Sequence, residues 1–171
     1  MHIVLIEPEI HWNTGNIGRT CIATNSTLHL VGRLGFKIDD KHVLRAGLDY
    51  WPKIQLKVHD NFEKFLASIE DNPSLIFLST KAKKLFWDAP YAPDSYLIFG
   101  SETKGLAPEF HRLYGGLMYR IPIGPEVRSL NLSTAAGIAL YEGLRQRHQP
   151  AGLAFHIRER GIAERTNGFA L

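Results

Sequence analysis

The segment Gly100-Ser101-Glu102-Thr103-Lys104-Gly105-Leu106 directly follows the apolar run Tyr96-Leu97-Ile98-Phe99. The run is rich in β-branched and aromatic residues, a composition typical of a buried strand. A strand that breaks into glycine, polar residues and a second glycine predicts a backbone-lined pocket at the carboxyl end of a sheet, where open α/β sheets bind ligands. A surface turn explains this segment equally well when the segment is considered alone.

Two other stretches favour the pocket over the turn. Near the start, Asn13-Thr14-Gly15-Asn16-Ile17-Gly18-Arg19 follows a predicted strand; its glycine permits a positive φ and its asparagines can cap a helix. Residues 13–16 are therefore interpreted as a loop that leads into a helix from about residue 17 to residue 25. Near the end, Ile121-Pro122-Ile123 is followed by Arg128-Ser129-Leu130-Asn131-Leu132-Ser133.

Short apolar runs alternate with stretches of helical periodicity along the chain. Strands are predicted at residues 2–6, 28–31, 54–58, 74–79, 96–99 and 117–123. Helices are predicted at about residues 17–25, 39–46, 61–70, 108–113 and 132–147, with a polar connection at 81–94. Strands that alternate with helices imply an α/β fold, with a mainly parallel sheet that carries helices on both faces.

The length of 171 residues predicts a single domain, because a chain of this size can bury a sizeable core. Hydrophobic residues make up 44% and charged residues 22%, which excludes a disordered chain. The formal charge of +3 permits an anionic partner without requiring one. After Pro150 the composition becomes mixed and charged, so we predict a domain over residues 1–150 and a loosely held C-terminal tail over 151–171.

The cysteine content and the apolar runs bear on the location of the protein. Cys21 is the single cysteine, which excludes an internal disulfide and suits a reducing cytoplasm. The first apolar run is too short for a signal peptide, and no run approaches the roughly 20 apolar residues of a membrane helix. We therefore predict a cytoplasmic protein with no membrane partner.

Several common chemistries lack their motifs in this chain. Residues 100–105 have the glycine spacing of a P-loop, but Leu106 stands where the phosphate-binding lysine belongs. The eight histidines are scattered, with no H-E-x-x-H and no cysteine pair, so no metal site is expected. Cys21 falls in an apolar helix face, where a thiol packs and does not act as a nucleophile.

The three stretches, in this order, resemble the motifs of the SPOUT superfamily of RNA methyltransferases, in its TrmH-like branch of ribose 2′-O-methyltransferases. The matching residues are 13–19, 99–106, 121–123 and 129–133. Glu7-Pro8-Glu9 and Arg45-Ala46-Gly47-Leu48-Asp49-Tyr50 add a closer likeness to the TrmL group, the small enzymes that act on the tRNA wobble nucleotide. The resemblance covers residues 1 to about 148.

The resemblance implies a parallel sheet whose C-terminal part is threaded into a deep trefoil knot, with S-adenosylmethionine bound in the knot. It also implies a homodimer and a tRNA substrate. Unlike larger relatives that act on ribosomal RNA, the chain is expected to begin directly with the catalytic domain. The implied reaction transfers a methyl group to the ribose 2′-hydroxyl of the wobble nucleotide, a cytidine or a modified uridine.

By this resemblance, the cofactor is bound by Leu78, Gly100, Glu102, Ile121, Ser129 and Leu130. Leucine and isoleucine supply flat apolar walls for a purine, and glycine lets backbone amides approach its edge. Glu102 either orders its loop or receives polar groups of the cofactor. For Leu78 and Ile121, a plain role in the core at the strand ends is the alternative.

The implied catalytic residues are Arg19, Asn13, Ser129 and Asn131. Because the pKa of a guanidinium lies above ~12, we do not expect Arg19 to act as a general base. We expect it to grip the phosphate beside the ribose and to stabilise developing alkoxide charge. The other three complete a polar shell, and a helix N-cap is an alternative role for Asn131.

Contacts to RNA phosphates are expected from exposed basic residues, namely Lys81, Lys83, Lys84, Arg128, Arg145 and Arg147. Three other functions remain open. One is the same chemistry on another tRNA ribose or on ribosomal RNA, and the second is a knotted RNA-binding protein without catalysis. The third, a base methyltransferase, usually needs an acidic or cysteine residue aimed at the base, and none is evident.

Overall fold

The computed structural model describes residues 1–38, 51–69 and 71–147. The strands are β1 (His2–Ile6), β2 (Thr27–Val31), β3 (Leu56–His59), β4 (Leu75–Leu78), β5 (Lys84–Leu85), β6 (Tyr96–Phe99) and β7 (Met118–Arg120). The helices are α1 (His11–Ala23), α2 (Phe62–Leu66), α3 (Pro108–Tyr114) and α4 (Leu132–Arg147). The helix predicted at residues 39–46, the stretch 45–50 and the tail at 151–171 lie outside the described residues.

The seven strands form one sheet in the order β3-β2-β1-β6-β4-β7-β5, and all the ladders between them are parallel. This confirms the predicted parallel α/β sheet. Because the strands are parallel, their carboxyl ends meet at one edge, and the connections that leave β1, β4, β6 and β7 are brought together there.

Helices cover both faces of the sheet, because successive side chains of each strand point to opposite sides. In β1, Ile3 and Leu5 pack with residues of α1 and α4, whereas Val4 packs with residues of α2. The core on the first side includes Ile17, Cys21, Ala136, Ala139 and Leu140. The core on the second side includes Phe65, Phe77 and Ile98, with Phe110 and Tyr114 of α3 against it.

The prediction of a loop at residues 13–16 is wrong, because α1 begins at His11 and contains these residues as well as 17–19. Its N-cap is Ile10, which makes no side-chain capping bond, so neither asparagine caps the helix. Neither Gly15 nor Gly18 adopts a positive φ. Gly18 instead allows close packing, because a Cβ there would collide with the side chain of Ile54. Local glycine and asparagine content therefore misled the prediction, since tertiary contacts supply the reason for these residues.

Three further boundaries differ from the predictions. The polar connection at 81–94 contains β5, a strand of two residues that is too short to show a period of its own. β7 ends at Arg120, and Ile121-Pro122-Ile123 continues outside the ladder. α2 is shorter than predicted and begins after Asn61, whose side chain accepts a hydrogen bond from the Lys64 amide at 2.8 Å.

Candidate functional site

A cavity of about 550 Å³ lies at the carboxyl edge of the sheet, between the connections that follow β4, β6 and β7. All six residues predicted to bind a cofactor line it, namely Leu78, Gly100, Glu102, Ile121, Ser129 and Leu130. Asn13 and Asn131 line it as well. The three sequence stretches therefore converge on one cleft, as expected, although the first and the last are separated by more than a hundred residues of chain.

The apolar part of the cavity is built by strand ends. Leu78 closes β4 and Phe99 closes β6, and both side chains are buried. Ile121 follows β7 and is half-buried against the same core. Because β6 lies beside β4 and β4 beside β7, these side chains are neighbours at one edge. They present a continuous apolar wall.

The loop after β6 folds back tightly upon itself. A Cβ atom at Gly100 would collide with the backbone of Gly105 and Leu106, so no other residue fits there without displacing main chain. Ser101 forms a bridge with Gly105, which adopts a φ of 66° in the left-handed region that favours glycine. The two glycines noted in the sequence are thus explained by close approach and by backbone conformation respectively.

A chain of side-chain hydrogen bonds joins the three stretches. The Asn131 Nδ2 donates to Asn13 Oδ1 at 2.9 Å, and Asn13 Nδ2 donates to Glu102 Oε1 at 3.0 Å. Asn13 is only 5% exposed, so these partners satisfy an amide that has little access to water. The orientation of both amides is thereby set by neighbours from distant parts of the chain.

Glu102 accepts hydrogen bonds on both carboxylate oxygens. Besides Asn13, its donors are the backbone amides of Glu9, at 2.7 Å, and Ile10, at 3.3 Å. The carboxylate thus ties the loop after β6 to the N-terminal end of α1. Of the two roles considered for Glu102, these contacts are those of a residue that orders its loop.

Glu9 and Thr103 form a second link between the connection after β1 and the loop after β6, which sequence reasoning missed; Thr103 lines the cavity, whereas Glu9 does not. The Glu9 carboxylate accepts hydrogen bonds from the Thr103 amide, at 3.0 Å, and from its hydroxyl, at 2.7 Å and 2.8 Å to the two oxygens. The Thr103 hydroxyl and amide lower the pKa of Glu9. No local sequence signal points to this pair, because the contact depends on β1 and β6 being neighbours in the sheet.

Asn131 combines the two roles that were considered for it. Its Oδ1 accepts hydrogen bonds from the Ser133 amide, at 2.9 Å, and from the Thr134 amide, at 3.4 Å, which is the pattern of an N-cap for α4. Its Nδ2 is left to contact Asn13. One side chain therefore starts the helix with its oxygen and orders the site with its nitrogen.

Arg19 is the predicted site residue that the fold does not bring to the cavity. It is exposed on α1 and is absent from the cavity lining of its own chain. It follows Asn13 by six residues, which corresponds to about 9 Å along a helix and to a different helix face.

Other chemistries find no support in the part of the chain that the structure describes. No group of three histidine, cysteine or acidic side chains is arranged to hold a metal ion there. Cys21 is buried, and desolvation raises its pKa to about 12, so the thiolate nucleophile is suppressed. No helix in the described ranges has the length and apolarity needed to cross a membrane.

Comparison with known proteins places the chain among RNA methyltransferases. A Lactococcus lactis subsp. cremoris protein is 48% identical over 149 residues, which make up 85% of this chain and 88% of that protein. That protein carries the provisional name tRNA (cytidine(34)-2′-O)-methyltransferase. A solved structure that gives insights into the 2-OH methylation of C/U34 on tRNA is 39% identical, with a TM-score of 0.82; the match covers 85% of this chain and 95% of that chain.

A more distant structure extends the comparison to larger proteins. The AdoMet-bound rRNA methyltransferase from Sinorhizobium meliloti is 26% identical, with a TM-score of 0.75. The match covers 86% of this chain and 57% of that one. Residues 1–141 match the SpoU rRNA Methylase family. The chain therefore belongs to the SpoU rRNA Methylase family, and the SPOUT resemblance seen in its sequence is confirmed.

Proposed function

We propose that the protein transfers a methyl group from S-adenosylmethionine to the ribose 2′-hydroxyl of the wobble nucleotide of tRNA. The observation that carries this proposal is the hydrogen-bonded chain from Asn131 through Asn13 to Glu102, which assembles three distant stretches around one cavity. The similarity to proteins described as acting on C34 or C/U34 of tRNA supports the choice of nucleotide.

The cavity fits S-adenosylmethionine. Its volume of about 550 Å³ lies within the roughly 300–1,000 Å³ of small-molecule sites, and it combines apolar walls with a few placed polar groups. Leu78, Ile121 and Leu130 would hold the adenosine between them. Gly100 would let backbone amides approach the purine edge, and Ser129 would bind a polar group of the cofactor. Glu102 would act indirectly, by holding the loop in shape.

S-adenosylmethionine supplies a methyl group on a positively charged sulfur, which is already an activated donor. The chain therefore has to position the ribose hydroxyl and manage its proton and developing charge. Asn13 and Asn131 provide hydrogen-bonding groups of defined orientation at the cavity wall. We propose that they and Ser129 orient the nucleotide, while Arg19 binds its phosphate and stabilises alkoxide charge.

The position of Arg19 leads us to propose that a homodimer completes the site. This side chain does not line the cavity of its own chain, and we propose that it serves the cavity of a second subunit. α1 and α4 pack together, and they expose large apolar side chains on neighbouring surfaces: Ile10 at the N-cap of α1, Trp12, Ile138 and Tyr141. Exposed apolar clusters of this kind are typical of protein interfaces.

The remaining features of the proposal concern the rest of the chain. The trefoil knot of the superfamily is proposed for the C-terminal part of the sheet, where β6 lies between β1 and β4 and β7 lies between β4 and β5. Residues 1–150 form the proposed catalytic domain and 151–171 the tail, in a cytoplasmic protein whose single cysteine is buried and reduced.

Methyl transfer to tRNA tests the proposed reaction. The purified protein is incubated with methyl-labelled S-adenosylmethionine and unmodified tRNA, and the labelled nucleotide is mapped. We expect a 2′-O-methyl group at the wobble position, and we expect Arg19→Ala to bind the cofactor normally but to lose transfer. Label on another ribose or on a base, or cofactor binding without any transfer, contradicts the proposal.

Mixing two inactive variants tests the shared site. In a heterodimer of Arg19→Ala and Asn131→Ala subunits, one cavity has an intact Asn131 and receives an intact Arg19 from its partner. Random exchange of subunits should restore about one quarter of the parent activity. If the mixture stays as inactive as its components, Arg19 does not act across a dimer.

A further inference from the structure

Basic side chains from four separate segments line the cavity. Lys81 follows β4, Lys104 belongs to the loop after β6, His111 lies on α3, and Arg128 lies between β7 and α4. The three lysine and arginine side chains are exposed, so their charged groups face solvent at the mouth of the cavity. We call these four residues the basic rim.

The acidic residues near the basic rim are already engaged. Glu102 is the one carboxylate among the described residues that line the cavity, and its oxygens are taken by Asn13 and by two backbone amides. Glu9 is close enough to Lys104 for that charge to contribute to its lowered pKa, but its carboxylate is bound mainly by Thr103. The rim thus presents an excess of positive charge.

Other basic candidates have partners that explain them. Lys84 Nζ donates to the Gly116 carbonyl at 2.7 Å and lies 5.5 Å from the centre of the Tyr119 ring. Arg145 donates to both oxygens of Glu142, at 2.8 Å and 2.9 Å. These two side chains are engaged in local contacts within the fold, so we do not count them among the residues of the rim.

We propose that the basic rim binds a phosphodiester group next to the target ribose. This inference rests on the proposed function, because it names the part of the RNA that the same site contacts. The apolar walls of the cavity suit the adenosine of the cofactor, whereas the charged ends of the rim side chains suit an anion. A ribose within RNA carries a phosphodiester on each side, so delivering its 2′-hydroxyl to the cavity brings an anion to the mouth. Such contacts set register without reading the base.

The salt dependence of tRNA binding tests the rim. The dissociation constant is measured across a series of salt concentrations for the parent, Lys81→Ala and Lys104→Ala. Each variant should weaken binding about three- to tenfold and reduce the slope of log K against log salt by about 0.7, the value for one contact to a single strand. Lys57→Ala is the matched control, because Lys57 is exposed on β3 at the opposite end of the sheet. Its slope should equal that of the parent.

Binding of S-adenosylmethionine to the same variants identifies the anion. If the cofactor affinity is unchanged and the salt slope of tRNA binding is reduced, the result supports a phosphodiester as the anion bound by the rim. Weakened cofactor binding with an unchanged tRNA slope overturns the proposal, because the rim then binds the carboxylate of the cofactor. Unchanged values for both ligands also overturn it, since the charges are then merely solvated. If the parent itself fails to bind or methylate tRNA, the proposed function is wrong. If the parent binds tRNA and the rim variants bind it equally well, only the proposal about the rim is wrong.

Discussion

The backbone amide of Glu9 donates to the Glu102 carboxylate at 2.7 Å, while the residue after Glu102 returns two hydrogen bonds to the Glu9 carboxylate. The connection after β1 and the loop after β6 thus donate hydrogen bonds to each other. The second glycine of this loop lines the cavity together with residues 129–131, so these contacts help to shape the cavity wall. Thr103 is exposed and the two glutamates are half-buried, so these contacts are partly open to solvent.

The first prediction concerns Thr103→Val, which removes the hydroxyl donor to Glu9 but keeps the volume and the backbone amide. We expect the dissociation constant for S-adenosylmethionine to rise about three- to tenfold, because the loop loses a charge-assisted hydrogen bond. Isothermal titration calorimetry measures this, with Thr20→Val on α1 as the matched control. Combining Thr103→Val with Glu9→Gln should add little beyond either change; fully additive losses would show that the two residues act independently.

The second prediction separates the two roles of Asn131. Asn131→Asp keeps the oxygen that caps α4 but loses the nitrogen that donates to Asn13, whereas Asn131→Ala loses both. The free energy of unfolding should therefore fall by about 0.5–2 kcal/mol more in the alanine variant than in the aspartate variant. Methyl transfer should be lost in both. Urea denaturation and the transfer assay measure the two effects, and an active aspartate variant would remove the contact to Asn13 from the mechanism.

The third prediction tests the close approach of backbone at Gly100. Gly100→Ala places a Cβ against the main chain of Gly105 and Leu106, so the loop has to open and the cavity wall has to move. We expect a loss of at least ~2 kcal/mol in the free energy of unfolding, together with loss of cofactor binding. Gly137→Ala within α4 is the control, because a Cβ there meets nothing within 4 Å. It should stabilise the helix by roughly 0.5–1 kcal/mol, and equal behaviour of the two variants would contradict the interpretation.

Three histidines on neighbouring strands form a hydrogen-bonded row away from the cavity. His2 Nδ1 lies 3.1 Å from His29 Nε2, and His29 Nδ1 lies 3.0 Å from His59 Nε2. His29 is completely buried, with Phe65 and Tyr96 against its ring. Burial lowers the pKa of His29 to about 3 and that of His2 to about 4. The row is therefore neutral in the folded protein at pH 7.

The fourth prediction follows from this row. In the unfolded chain a histidine has a pKa of ~6.5. Below that pH, the unfolded state therefore binds a proton that His29 does not bind in the folded state. Stability is thus complete above pH ~6.5 and falls with decreasing pH, by about 1.4 kcal/mol per unit for His29. His29→Gln keeps one donor and one acceptor but does not titrate. Between pH 7 and pH 5 its free energy of unfolding should fall less than that of the parent, by roughly 2 kcal/mol. Parallel curves for the two proteins would refute this account.

Much of the fold was predictable because its signals are local. The first strand and the last helix were predicted with the bounds that the structure shows, since a short apolar run and an apolar stripe at helical spacing each define one element. The start of α1 was not predictable in this way. Its buried asparagine and glycines look like loop residues until Glu102, Asn131 and Ile54 are placed beside them.

The sequence by itself determined the parallel α/β architecture, because it follows from the alternation of strands and helices. The meeting of the three stretches in one cleft was implied by their resemblance to the family motifs. Only the tertiary structure decided that Glu102 orders its loop, that Glu9 and Thr103 take part, and that Arg19 lies away from the cavity of its own chain. The physical reason is that a hydrogen bond between residues some ninety positions apart depends on which strands are neighbours in the sheet. That order is a property of the whole packed chain, and no local pattern encodes it.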